Sequence, residues 1–385
     1  MTITAETLLV ELEKHMNILL IGPPGTGKSH LMKEVQNLFL SKYPETAADK
    51  FFIDRSRERN AIFTEEGRVG QSAWITFHQG YSYEDFIIGL RPKPEAGAGF
   101  SLEAKAGVLL ELAASTSNGC GLLLIDEINR GNTSRIFGEF ITLMEQDKRL
   151  LDDGTLGEKT VSVTLPYIGN GGEITLESGV TIGREFRMPY RFYTLACMNS
   201  VDKSITPIDS AIRRRFHVIN LTPTRSDIEH CAGLSSASRH DVAKLAVEIF
   251  VKINEGIGYF LGPDFVLGQY YLPSRYKLGQ MEEHEAQSAL VDLWCHRVLP
   301  QLVELFQGRT EALLSLLRFS NEKQKFGLQV FMPEDQYLDE GAMPFVRFVS
   351  ITSTEAVFAE LQSTFAPQVP LSADQLEVAE AAPTD

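Results

Sequence analysis

Short runs of consecutive apolar residues, each followed by a helical pattern, recur along the first half of the chain: Asn17 to Ile21, Trp74 to Phe77, Gly121 to Ile125 and Phe192 to Met198. Runs of that length fit buried strands, and strands alternating with helices read as a parallel α/β sheet. Between Leu151 and Pro189 the pattern becomes Gly-punctuated and alternating. Val161 to Leu165 and Glu173 to Leu176, separated by Gly169-Asn170-Gly171-Gly172, predict a β-hairpin insertion over about 151–189. After Pro223 the apolar residues recur at i, i+3, i+4 and i+7, over Asp241 to Asn254, Ala286 to Leu305 and Thr310 to Leu317, which predicts helices. A boundary is therefore expected near Leu221. It divides an α/β domain over 1–221 from a helical lid over 222–320 and a C-terminal extension over 321–385. The last stretch, Glu377 to Asp385, is rich in Ala and Glu and reads as a disordered acidic tail.

Composition narrows the classes of function. At 385 residues with 43% apolar side chains, the chain can bury one large core and a smaller one without staples. Four scattered cysteines, Cys120, Cys197, Cys231 and Cys295, form no C-x-x-C pair, so neither a zinc ribbon nor a disulfide framework is indicated. The first residues, Met1 to Lys14, alternate apolar and charged groups and include Glu6, Glu11 and Glu13, which does not suit a secretory or transit peptide, and no apolar run approaches the roughly 20 residues of a membrane span. A cytoplasmic protein with reduced thiols and no membrane contact is the expectation. The net charge of −15 disfavours holding nucleic acid through the general surface. The one dense basic patch is Arg213, Arg214 and Arg215.

The strongest chemical signal is Gly22-Pro23-Pro24-Gly25-Thr26-Gly27-Lys28-Ser29, followed by His30, which matches G-x-x-x-x-G-K-[ST] between an apolar strand and a predicted helix over His30 to Leu40. Glycines let backbone N–H groups curl around a β-phosphate, and the helix N-terminus adds its dipole. Lys28 would meet the β and γ oxygens, and Ser29 would ligate Mg²⁺. Further on, Leu122 to Ile125 lead into Asp126-Glu127, the Walker B arrangement. Because strand side chains alternate, two adjacent acids at a strand's end can take different tasks: Asp126 holding Mg²⁺ through its water shell, Glu127 orienting and deprotonating the attacking water.

Asn199 ends the next apolar run and would sit beside the γ-phosphate, as a sensor for the attacking water, in a sheet whose ligands gather at the strands' carboxyl ends. Arg213 and Arg214 stand between that run and the next predicted strand, His217 to Leu221, where a guanidinium could reach a neighbouring subunit's γ-phosphate. A turn-forming Asn and a solvated basic tip are the other readings of these residues.

Taken together, the phosphate loop, Asp126-Glu127 running into Ile128-Asn129-Arg130-Gly131-Asn132, Met198-Asn199-Ser200-Val201-Asp202-Lys203-Ser204, and Arg213-Arg214-Arg215-Phe216 resemble the McrB GTPase family within AAA+. Phe77-His78-Gln79-Gly80-Tyr81-Ser82-Tyr83-Glu84-Asp85-Phe86 with Gly89-Leu90-Arg91-Pro92, and Leu261-Gly262-Pro263-Asp264-Phe265, are further family-like blocks. The resemblance covers roughly residues 15 to 305. It departs where the M-N-x-x-D-R signature ends in Lys203, and where the G-H-S-Y-F-like lid motif reads Gly268-Gln269-Tyr270-Tyr271-Leu272. It implies a homo-oligomeric ring, a hexamer in this family, that hydrolyses GTP or ATP with Mg²⁺ and drives a McrC-like nuclease subunit in a DNA restriction and defence complex. McrB-like proteins commonly carry a modified-DNA-reading domain ahead of the phosphate loop, which here begins at Gly22, so DNA is expected to be engaged through the partner. A MoxR-like ATPase that remodels proteins, and a nucleotide-gated scaffold, are the competing readings.

Overall fold

The computed structural model describes residues 3–43, 61–63, 69–94, 100–116, 119–201, 208–234, 240–272, 277–319, 323–331, 345–350 and 353–366. Asp202, Lys203 and Ser204 of the sensor segment, and the tail from Glu377 to Asp385, lie outside the described residues. The chain divides into two compact units, Met1–Thr222 and Pro223–Asp385.

In the first unit, helix α1 (Ala5–His15) leads into β1 (Asn17–Gly22), and α2 (Lys28–Lys42) follows. Then come β2 (Ala61–Phe63), β3 (Val69–Thr76), a short α3 (Tyr83–Phe86), β4 (Ile88–Pro94), β5 (Phe100–Ala106), α4 (Val108–Ser115) and β6 (Cys120–Asp126). After α5 (Thr133–Phe137) and α6 (Phe140–Leu143) come four short strands: β7 (Val163–Thr164), β8 (Glu173–Thr175), β9 (Thr181–Gly183) and β10 (Glu185–Phe186). Strand β11 (Phe192–Asn199), helix α7 (Ser210–Arg213) and strand β12 (His217–Asn220) complete the unit.

The main sheet has the order β12-β1-β11-β6-β3-β2, and every neighbouring pair is parallel except β2 with β3. The α/β class expected from the apolar runs is the class found. β1 and β6 are buried almost throughout because helices cover both faces, which is why they read as continuous apolar runs. The two faces sort their residues by the period of two. Ile18 and Leu20 of β1 face α1 and α2, while Leu19 and Ile21 face the core built on Phe77, Phe86 and Phe137.

The 151–189 region is β-structured, but its pairing differs from the expected hairpin. The segment around Val163 does not pair with that around Glu173. Each finds a later partner instead, β7 with β10 and β8 with β9. The tight closure lies at Leu176 to Val180, where Leu176 N–H donates to Val180 O and Gly179 takes a positive φ of 81°. Glycine takes such a turn without strain. Gly169–Gly172 also turns, with Gly171 at a φ of 72°, but lies between β7 and β8, which do not pair with each other. A second hairpin, β4 with β5, was not legible: Arg91-Pro92-Lys93-Pro94 carries prolines and charges along a two-stranded ribbon with no fully buried face.

The second unit contains α8 (Arg225–Cys231), α9 (Asp241–Phe260), α10 (Glu283–Leu293), α11 (Leu299–Leu305), α12 (Thr310–Leu316), strands β13 (Gln324–Lys325), β14 (Leu328–Phe331) and β15 (Phe345–Phe348), and α13 (Thr354–Phe365). A π-helical segment, Trp294–Val298, joins α10 to α11 without a break in helicity. The described residues beyond Asn321 pack with the helices. Phe326, Leu328, Val357, Leu361 and Phe365 share one core with Phe250, Leu290, Trp294 and Leu302, and the rings of Trp294, Phe326 and Phe365 pack together.

Candidate functional site

The parallel register sets the site. Gly22, the last residue of β1, pairs with Asn199, the last residue of β11, and β11 in turn pairs with β6, which ends at Asp126. Three adjacent strands therefore end together, and their polar termini meet.

At β1 the chain turns into the phosphate loop. Gly25 and Gly27 adopt φ of 78° and 83°, the left-handed region open to residues without Cβ. Gly22 is needed for a different reason, since a Cβ there would lie 2.4 Å from Leu221 O. Gly27 caps α2 without a side-chain hydrogen bond, so the first N–H groups of a 15-residue helix are left for an anion. Lys28 is 7% exposed and folded back over the loop, donating to Gly22 O and Pro23 O, each at 2.8 Å. Burial pulls its pKa down, against the opposing influence of Cys197, Glu127 and Asp126.

At the end of β6, Asp126 Oδ2 accepts from Ser29 Oγ at 3.1 Å, and Asp126 Oδ1 accepts from Cys197 Sγ at 2.8 Å. Glu127 does not continue the strand. Its φ of 53° and ψ of 45° place a non-glycine residue in the left-handed region, which costs of order 1–3 kcal/mol and is concentrated at functional sites. That turn breaks the alternation expected for adjacent strand residues. Glu127 Oε1 accepts from Asn199 Nδ2 at 2.9 Å, and Arg130 Nε stands 3.2 Å from Glu127 Oε2. The two acids thus contact Cys197 and Asn199, two residues apart on one face of β11, so both serve the same side of the sheet.

Of the residues singled out in the sequence, Lys28, Ser29, Asp126, Glu127 and Asn199 come together here. His30, next along α2, is exposed and pairs with Glu34 at 3.5 Å. The arginine cluster divides. Arg213 and Arg214 are exposed at the end of α7, whereas Arg215 is held by Glu145 at 2.7 Å and by Ala211 O at 2.6 Å. Two neighbours escaped the sequence reading. Cys197 could have been found by stepping back two residues from Asn199 on the same strand face, and Arg130 stands one helical turn beyond Glu127.

A buried arginine secures the other end of the sheet. Arg149 donates to Leu143 O, Met144 O, Tyr190 O, Phe192 O and Asn17 Oδ1 with no carboxylate among its partners, and burial lowers its pKa to about 10. Asn17 Nδ2 donates in turn to Met144 O and to Arg215 O. The starts of β1 and β11 and the approach to β12, at Arg215, are thereby tied to one another. The block from Phe77 to Phe86 serves packing: Phe77, Tyr81, Phe86 and Phe137 form an aromatic cluster, and Ser82 caps α3 while Asp85 pairs with Arg91 of β4.

Residues 68–216 match the family model described as AAA domain (dynein-related subfamily), a stretch that includes Asp126, Glu127 and Asn199 and begins after the phosphate loop. The chain is 35% identical over 224 residues to the Type IV methyl-directed restriction enzyme EcoKMcrB subunit of Escherichia coli (strain K12), covering 57% of this chain and 38% of that protein. It is 25% identical over 241 residues to the Type II restriction enzyme BsuMI component YdiS of Bacillus subtilis (strain 168), covering 55% of this chain and 60% of that one. The chain thus spans less than two thirds of each relative's length. Among the described residues no helix is long and apolar enough to cross a membrane. The parallel α/β sheet, the phosphate loop at the carboxyl end of β1 and the match to an AAA-domain model identify an AAA+-type α/β fold, and in sequence the chain is similar to two restriction-system subunits, one of them McrB.

Proposed function

We propose that this chain is a Mg²⁺-dependent nucleoside triphosphatase, hydrolysing GTP or ATP as one subunit of a homo-oligomeric, hexameric ring, and that it drives a McrC-like nuclease in a McrBC-like DNA restriction complex. The observation that supports this reading most is the convergence of Lys28, Ser29, Asp126, Glu127 and Asn199 at the ends of three adjacent strands.

The donors suit the metal. Ser29 Oγ and Asp126 Oδ2 are oxygens 3.1 Å apart beside a loop of open N–H groups, the chemistry that a hard divalent ion takes. Ser29 and Asp126 would hold Mg²⁺, which would supply charge neutralisation for the phosphate oxygens. Lys28 exchanges its carbonyl partners for β and γ oxygens, a charge-assisted contact already desolvated. Glu127 accepts the proton of the attacking water, and Asn199 fixes the orientation of that carboxylate. Arg213 or Arg214, exposed and close to the sheet's edge, reaches across to a neighbouring subunit's nucleotide; Arg215 is already occupied. The net charge of −15 favours contact with DNA through a partner.

Side-by-side measurement of Mg²⁺-dependent GTP and ATP hydrolysis, with and without a McrC-like nuclease, tests the reading. Slow turnover alone that rises several-fold with the nuclease, and weak DNA binding, are the expected results. Full activity indifferent to the nuclease would point to a MoxR-like remodelling role. Tight nucleotide binding with no turnover under any condition would point to a scaffold.

A further inference from the structure

Away from the phosphate loop, α1 brings two ligands to one face. Glu11 and His15 are four residues apart, hence neighbours on the helix surface, and His15 Nε2 lies 3.1 Å from Glu11 Oε2. The third residue comes from the far end of the unit's sequence. Helix α1 ends at His15, Met16 turns with a φ of 63°, and β1 starts at once, so its second residue, Ile18, pairs with His217, the first residue of β12. That register lays the His217 ring against His15, with centroids 3.9 Å apart and planes 2° from parallel. One ligand atom from each of Glu11, His15 and His217 lies within 4.8 Å of the other two.

We infer that Glu11, His15 and His217 form a binding site for a borderline transition-metal ion, Zn²⁺ above all, that fastens the end of α1 to the start of β12. Two imidazoles and one carboxylate are a donor set zinc takes, with bond lengths of about 2.0–2.2 Å and a fourth position open to water. The nitrogen-rich set disfavours Mg²⁺ and Ca²⁺, which want oxygens. Stacked rings cannot both aim a lone pair at one ion, because the ion must lie near the plane of each. His217 is exposed and turns about its side-chain bonds to bring its nitrogen in, while Glu11 and His15 are already paired. Lys14, 3.8 Å from Glu11, is the neighbouring cation that the ion displaces. Since β12 starts two residues after Arg215, the ion would also hold the base of the strand that follows the arginine cluster.

The test is calorimetric titration of ZnCl₂ into the full chain, prepared without a histidine tag, in excess MgCl₂ so that the oxygen site by the phosphate loop is occupied. One zinc per chain is expected, together with a rise in melting temperature. His217→Ala, at an exposed position and checked for an unchanged circular dichroism spectrum, should weaken binding by more than the roughly 10- to 100-fold that loss of an outer-shell partner causes. Glu11→Gln should weaken it as well, and Co²⁺ should give the visible spectrum of a tetrahedral site that both variants lose. Absence of binding, or a stoichiometry and affinity unchanged in His217→Ala and Glu11→Gln, overturns the assignment.

Discussion

Asn199 Nδ2 donates a 2.9 Å hydrogen bond to Glu127 Oε1, which couples the end of β11 to the left-handed residue that terminates β6. The carboxylate proposed as base is therefore aimed by the strand proposed as sensor. Glu127→Gln keeps the size and should bind nucleotide normally, while turnover falls by about 10²- to 10⁴-fold, the range of general-base contributions. Asn199→Ala should also slow turnover, and adding it to Glu127→Gln should cost little more, because the two act as one unit. Single-turnover rates of the three variants check this; fully additive losses would separate the roles.

Lys28→Ala should abolish nucleotide binding, since it removes the cation buried over the phosphate loop. The lowered pKa gives a second signature. Burial holds the Lys28 ammonium below its ordinary 10.5, so nucleotide affinity should fall with rising pH before a solvent-exposed lysine would titrate. Below the folded-state value both folded and unfolded chains are protonated, and the burial cost is fully felt. As pH rises from that value toward 10.5 the unfolded chain binds more protons, so the cost is relieved and nucleotide-free stability gains a contribution in this alkaline window. Titration with a fluorescent nucleotide analogue across alkaline pH reads the first effect, and the urea midpoint of wild type against Lys28→Ala the second.

The division of the arginines predicts different phenotypes. Arg214→Ala, alone nearly inactive, should recover part of its activity when mixed with Lys28→Ala, at junctions that pair an intact loop with an intact arginine. Arg215→Ala should instead lower stability, because it removes the partner of Glu145 and a donor to Ala211 O. Mixing assays with proven co-assembly, and thermal melts of each variant, measure both. If Arg214→Ala mixtures stay as inactive as their parts, Arg213 is next to be tested, and failure of both makes the cluster structural.

Replacing Arg149 by Met should be among the most damaging single changes in the first unit. It leaves main-chain carbonyls at Leu143, Met144, Tyr190 and Phe192 without this donor, at about 1–3 kcal/mol for each one left buried and unsatisfied, so a total above about 3 kcal/mol is expected. Chemical denaturation of the variant gives the number directly. A loss under about 1 kcal/mol would mean that water or neighbouring groups replace the guanidinium.

The apolar runs by themselves determined that β1, β6 and β11 are buried parallel strands, because a sheet covered on both faces must be apolar at nearly every position. Of β3 they reached only the end, Trp74 to Thr76, since its first half carries Gly70, Gln71 and Ser72. They also determined where the phosphate loop, Asp126-Glu127 and Asn199 fall, each at the end of such a run. Local pattern could not say which strands are neighbours. The register of Gly22 with Asn199, the parallel ladder of β11 on β6, and the alignment of His217 with His15 are settled by long-range packing. The same is true of the strand pairing in the 151–189 insertion: Gly169–Gly172 does turn, with Gly171 at a φ of 72°, but the strands on either side of it find partners further along the chain. Glu127 shows the limit most clearly. Sequence alternation places it opposite Asp126, but a turn into the left-handed region, a conformation that local propensity disfavours for glutamate, sets it beside Asn199, and only the surrounding packed structure can hold it there.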